Sequence, residues 1–214
     1  TDPNSMISWN IRLPRTIVAA LVGINLALSG AILQAILRNP LADPHLIGIS
    51  SGAGVAGVVI MILYPALEYL ITPVSFIGAM VAAICIYILA WKNGIKPVRI
   101  ILAGVAVSAF LSAGISGLMI FYSDRVHGAL MWMVGGLAAR SWPHVSIILP
   151  YAVIGVVLAM ASAAYLNILQ LGDEMARGLG INVEVTRIVL TAIAALLAAS
   201  AVSVCLFSSV GSLA

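Results

Sequence analysis

Residues 16–37 read TIVAALVGINLALSGAILQAIL, and no Asp, Glu, Lys or Arg interrupts them. As an α-helix rising 1.5 Å per residue, this run would be about 33 Å long, the thickness of a bilayer's hydrocarbon core. Outward from it, the same absence of charge recurs over residues 46–67, 69–91, 100–123, 141–172 and 188–214. One central Lys, Arg or Asp costs roughly 2.5–3.5 kcal/mol on membrane insertion, so these windows predict six membrane-spanning helices. The expected fold is all-α, a polytopic transmembrane helical bundle. A soluble bundle is a poor alternative, because 63% of the residues are hydrophobic and only 8% are charged, against about 25% charged in an ordinary soluble domain.

The net charge of +3 comes from ten Lys and Arg scattered singly between apolar runs, without the basic stripe and interleaved aromatics that a nucleic-acid partner requires. Cys85 and Cys205 lie in apolar runs without CxxC or Cys/His spacing, and His45 stands alone, so neither a disulfide nor a metal site nor a cofactor is expected. No Walker-type GxxxxGK[ST], HExxH or GxSxG is present, and the chain reads as non-catalytic. The lack of carboxylates within the spans also counts against a proton- or sodium-coupled carrier. Residues 1–5 (TDPNS), ahead of Met6, are read as an extraneous remnant, which leaves residues 6–214 as the domain.

A seventh charge-free stretch, residues 126–139, has 14 residues and a Gly135-Gly136 pair. It is too short to span and reads as an interfacial or re-entrant helix. Trp132 and Trp142 near its ends suit the membrane boundary, where an indole buries its ring and still donates a hydrogen bond. Placing the loops with Arg38, Lys92, Lys96, Arg99, Arg177 and Arg187 inside sets six basic residues against four outside, namely Arg12, Arg15, Arg125 and Arg140. Both ends of six spans then lie outside, so a cytoplasmic N-terminus requires a further helix before residue 1.

Two stripes of small residues mark close helix contacts. Gly104, Ser108, Ser112 and Ser116 recur every fourth residue, and Gly23, Ala27, Gly30 and Gln34 follow at 4, 3 and 4. Such stripes let backbones approach where lipid removes the usual hydrophobic drive; they fit packing or the lining of a substrate path. Asn25 and Gln34 are expected to hydrogen-bond across helices. Between the first two spans, residues 38–45 (RNPLADPH) form a turn punctuated by two prolines, with Asn39 and Asp43 available for loose backbone groups. Residues 171–180 (LGDEMARGLG) predict a helix of about two turns, with Asp173 as its N-terminal cap, Glu174 at its positive end and Gly180 in a left-handed stop. A capped knob of this kind suits either an ordinary loop or docking onto a soluble partner.

Several strings, in order, resemble the FecCD-type permeases of type II ABC importers, the cobalamin, haem and ferric-siderophore systems. They are Ile11 to Thr16 (IRLPRT), Ser29-Gly30 with Gln34, Asn39 to Pro44 (NPLADP), Gly48 to Gly54 (GISSGAG), Leu102 to Val105 (LAGV), Trp132 to Gly136 (WMVGG), and Leu171 to Glu174 with Ala176-Arg177 and Leu179-Gly180. The resemblance covers roughly residues 11–204. It implies a permease that works as a dimer with a second permease copy in the lipid of a bacterial or archaeal cytoplasmic membrane. Such a permease receives an iron-siderophore, haem or cobalamin chelate from an extracytoplasmic substrate-binding protein. A dimer of cytoplasmic ATPase subunits drives it by alternating access.

Carried over by position, the resemblance implies that Asn39 and Leu41 belong to a cytoplasmic gate. Pro97 and Val98 stand in the opposing gate loop, where the cobalamin permease has small hydroxyl residues. Asp173, Glu174, Met175, Ala176, Arg177, Gly178, Leu179 and Gly180 match the family's ATPase-coupling helices, and Gly104, Ser108, Ser112 and Ser116 fall on the helix that lines the translocation path. After Val204 the family continues with a GxIGFxGLxxPH string, whereas this chain reads CLFSSVGSLA over residues 205–214. Family helices two to seven are therefore expected here. A membrane scaffold subunit without transport is the competing reading.

Overall fold

A computed structural model describes residues 6–44, 48–91, 97–125, 128–130, 133, 136 and 141–205, and every regular element among them is helical. The α-helices are α1 (Leu13–Leu37), α2 (Ile49–Leu63), α3 (Ile71–Ala90), α4 (Pro97–Phe121), α5 (Trp142–Ala161), α6 (Ala163–Gln170), α7 (Asp173–Gly178) and α8 (Val183–Cys205). A π-helical turn, Ser8–Arg12, leads into α1, and a 3-10 segment, Pro65–Leu70, joins α2 to α3. Five described helices are long and apolar enough to cross a membrane: Ser8–Leu37, Ile71–Ala90, Val98–Phe121, Trp142–Ala161 and Val183–Cys205. The sixth expected span is a shorter apolar helix, Ile49–Leu63.

Local chemistry sets these bounds. Pro14 falls in the first turn of α1, where its missing N–H has no intrahelical partner to lose. The helix stops at Arg38, which is left-handed at φ 49°, and the Asn39 N–H returns to the Gln34 carbonyl at 3.2 Å in a Schellman-type closure. Gly48, at φ 70°, turns the chain into α2. A Cβ there would stand 2.8 Å from Ile86 Cδ1 and 3.0 Å from Ser108 Oγ, so glycine suits both the backbone and the space. Tyr64 ends α2 because Pro65 follows and disfavours helix before it, and Arg125 Nη1 donates to the freed Ile62 carbonyl at 2.6 Å. At α5, Ser141 and His144 form a capping box.

The charge-free run at 141–172 is one stretch in sequence and two helices in space. It breaks at Ser162, whose hydroxyl donates to the Leu158 carbonyl at 2.6 Å. Of residues 126–139, only 128–130, 133 and 136 are described, so the expected interfacial helix lies largely outside the described residues, as does Trp132. Trp142 stacks against Trp9 with ring centroids 5.5 Å apart, and its Nε1 donates to the Trp9 carbonyl at 3.2 Å.

α8 is the centre of the bundle. It packs against α1, α2, α3 and α5, and 67% of its most apolar window is buried, against 17% for α4. Small side chains make this possible: Ala194, Ala195, Ala198, Ala199, Ser200 and Ala201 are all buried. Two buried hydrogen bonds tie it to α1, from Asn25 Nδ2 to Ser200 Oγ at 3.0 Å and from Ser29 Oγ to the Ala194 carbonyl at 2.8 Å. Asn25 therefore bonds across helices as expected. Gln34 does not, because its Nε2 donates to the carbonyl of Ala42 in the following loop at 3.5 Å.

α2 and α3 cross closely, backbone against backbone. A Cβ on Gly52 would lie 2.5 Å from both the Gly78 carbonyl oxygen and Ala82 Cβ, and one on Gly78 would lie 2.4 Å from Ala56 Cβ. α4 stands at the edge of the bundle with large apolar side chains outward, Phe110 at 78% and Phe121 at 85% exposure.

Candidate functional site

The turn after α1, the start of α4 and the segment around α7 hold the residues singled out in the sequence. Their shared position follows from chain direction: α1 runs into the turn at residues 38–44, α2 and α3 return to the same end, and α4 begins there. Gly48, at the start of α2, lies against Ile86 near the end of α3 and against Gly104 and Ser108 near the start of α4.

In the turn, Asn39 Oδ1 accepts the Leu41 N–H at 2.9 Å, and Ala42 N–H donates to the Asn39 carbonyl at 3.1 Å. This Asx turn is the local role expected of Asn39, and it leaves Leu41 78% exposed. Ala42 and Pro44 turn inward and are buried. Pro97 opens α4 and Val98 beside it is exposed.

Above the turn lies a cavity of about 810 Å³ bounded by α1, α2, α4 and α8. Ala42, Asp43 and Pro44 line it at the turn, with Gln34, Ser50, Ser51 and Ser112 as polar wall groups among Leu26, Gly30, Gly54, Ile115 and Val202. The serine stripe of α4 divides here. Gly104 is buried, and the Ser108 hydroxyl, also buried, makes no hydrogen bond with any described residue; both sit under Gly48 as packing. Ser112 faces the cavity, while Ser116 is exposed and bonds the Ser112 carbonyl at 3.1 Å. A second cavity of about 450 Å³, between α3 and α8, is lined almost wholly by apolar groups such as Met80, Ile84, Ile88 and Ile188. It offers little to fix a polar cargo. Among the described residues, no group of three or more His, Cys, Asp or Glu comes together as a metal site.

α7 is a knob with one face in the bundle. Ala176 is fully buried against the apolar cluster that includes Leu33, Leu169 and Leu190. Glu174, Met175, Arg177, Gly178, Leu179 and Gly180 are exposed, and Leu171, Met175 and Leu179 each keep more than 60% of their surface open. Gly180 takes the left-handed stop at φ 81°.

Asp173 departs from its expected role as the helix cap. The cap position is Gly172, with no side-chain cap bond. The Asp173 carboxylate instead accepts two N–H groups of Arg187 in α8, at 2.8 Å and 3.1 Å, and a third from Arg38 at the end of α1. A carboxylate in the first turn of a helix keeps the favourable dipole term in either arrangement, and one forked pair with Arg187 and a single contact from Arg38 together outweigh a single cap bond. Arg187 is 2% exposed, so removing its carboxylate would cost about 3–5 kcal/mol by the rule for buried pairs. Arg38 is 37% exposed, and its share is about 0–1 kcal/mol. Periodicity could not reveal these partners, which lie 135 and 14 positions from Asp173; the only signal was that both arginines fell on the side counted as inside.

The family described as the FecCD transport family matches residues 1–205. The chain belongs to it. Among FecCD relatives, the cobalamin import system permease protein BtuC of Halobacterium salinarum is 40% identical over 199 residues, which are 92% of this chain and 54% of that protein. The Fe(3+)-citrate import system permease protein YfmE of Bacillus subtilis is 38% identical, covering 90% of this chain and 58% of the relative. For the hemin transport system permease protein HmuU of Yersinia pestis the figures are 38%, 91% and 60%. This chain thus spans between 54% and 60% of the length of these relatives. A solved chain of a metal-chelate type ABC transporter in an inward-facing conformation matches with a TM-score of 0.88 at 26% identity, over 95% of this chain and 66% of that one. The helical membrane architecture read from the sequence is that of this family.

Proposed function

We propose that the chain belongs to a permease subunit in a type II ABC importer that moves an iron-siderophore, haem or cobalamin chelate across the cytoplasmic membrane. The single observation that carries this reading is α7. Its buried Ala176 and the Asp173 ion pairs fix it to the bundle, while Glu174, Met175, Arg177 and Leu179 face outward as a mixed apolar and charged surface. Such a rigid projection suits a soluble ATPase, and the family relationship supports that partner. A dimer of ATPase subunits, a second permease copy and an extracytoplasmic binding protein complete the assembly, and ATP hydrolysis belongs to the ATPase chains.

Transport would proceed by alternating access. The turn at Asn39 and Leu41, with Pro97 and Val98 opposite, forms the cytoplasmic gate. The cavity walled by Ser50, Ser51 and Ser112 is part of the path, a mixed lining that does not trap a polar chelate. The test is Glu174→Ala with Arg177→Ala in the complete importer. Co-purification of the ATPase and uptake of radioactive ferric citrate, haemin or cobalamin are expected to fall together while membrane insertion is unchanged. Undiminished capture and uptake would refute the docking role.

A further inference from the structure

We infer that Asp173 is a positioning residue that joins the docking helix to the gate, with Arg38 as the strut between them. This rests on the importer reading, and it adds a route by which movement of α7 reaches the cavity. Asp173 is the first residue of α7, and its carboxylate is shared between Arg187 near the start of α8 and Arg38 at the end of α1.

The two arginines are not equivalent. Arg187 is 2% exposed and grips both carboxylate oxygens, so α7 and the first turns of α8 are held as one body. Arg38 reaches a single oxygen and is 37% exposed. It is therefore the partner that can yield.

Arg38 also occupies an unusual backbone position. Among the described residues it is the one non-glycine with positive φ, at 49°. An arginine in the left-handed region gives up backbone freedom that glycine would keep, and what it gains here is a guanidinium aimed at Asp173. The residue after it is Asn39, which sets the Asx turn that exposes Leu41, and then come Ala42, Asp43 and Pro44 in the cavity wall. A displacement of α7 would therefore reach the head of the gate turn through this one ion pair, the direct contact between Asp173 and the end of α1.

The experiment compares Arg38→Gln and Arg38→Lys with the unaltered permease, each in its complete importer reconstituted with the ATPase subunits in liposomes. Both variants keep the Asp173–Arg187 pair and thus the fold. The readout is labelled ferric citrate, haemin or cobalamin taken up per ATP hydrolysed, with ATPase capture measured alongside. Arg38→Gln is expected to retain capture and hydrolysis and to lower the ratio by up to about fivefold, and Arg38→Lys to lower it about twofold. A structural role alone would lower uptake and hydrolysis in proportion, and that result overturns the inference, as does an unchanged ratio in both variants. If Arg38→Gln does not accumulate, Arg38→Lys decides: an unchanged ratio overturns it and a lowered one supports it. Failure of the unaltered chain to capture any ATPase overturns the importer reading and this inference together.

Discussion

Replacing Gly52 by Ala tests the packing that holds the bundle. The added Cβ would stand 2.5 Å from Ala82 Cβ and 2.5 Å from the Gly78 carbonyl oxygen, where ordinary contact begins at 3.4 Å. One neighbour is backbone and the other a methyl group fixed to it, so neither can rotate away, and α2 and α3 must part by about 1 Å at a cost of about 1–3 kcal/mol. Against this, alanine gains about 0.5–1 kcal/mol over glycine in a helix. Gly54→Ala, two residues along the same helix, supplies the control. Its Cβ would meet Ile115 Cδ1 at an unstrained 3.5 Å. The propensity gain is common to both variants and cancels, leaving Gly52→Ala less stable than Gly54→Ala by about 1–3 kcal/mol, or roughly 5- to 150-fold in the unfolding equilibrium. Reversible unfolding in mixed micelles by titration with sodium dodecyl sulfate, followed by tryptophan fluorescence, measures the difference. A Gly52→Ala protein as stable as Gly54→Ala would refute the close crossing.

Asn25→Ala removes the buried bond to Ser200, and the same titration should show a loss of about 0.6–1.7 kcal/mol, the range for hydrogen bonds between membrane helices. Cys85 lies on the exposed side of α3 within a membrane-spanning segment. In intact membranes it should resist both N-ethylmaleimide and a charged methanethiosulfonate reagent, and react once the protein is unfolded in sodium dodecyl sulfate, because the thiolate that attacks either reagent forms only in water; prompt labelling in intact membranes would place that face in water.

The spans were legible because the signal is a local absence of charge, and α1, α3, α4, α5 and α8 each lie within or across a charge-free window. What the windows could not reveal was where backbone conformation interrupts an apolar run. Gly48 starts α2 late and Pro65 ends it early, so residues 46–67 yield a helix of 15 residues, and Ser162 divides residues 141–172. The knob at 173–180 was legible from its end residues and its left-handed Gly180. The partners of Asp173 were not, since a lone carboxylate at a helix start reads as a cap unless the distant arginines are known. Likewise, equal spacing made Gly104, Ser108, Ser112 and Ser116 one stripe, whereas the neighbours across the gap decide that Ser108 is packed and Ser112 faces the cavity.

The central place of α8 also sets an order of assembly. Asn25 and Ser200, which join α1 to α8, are 175 positions apart. At a ribosome's roughly 5–20 residues per second, about 9–35 s separate the emergence of the two. For that interval the earlier helices lie in the bilayer around a vacant axis, with Asn25 and Ser29 lacking their eventual acceptors on α8. The packing of α1 is therefore completed only when the last described helix arrives.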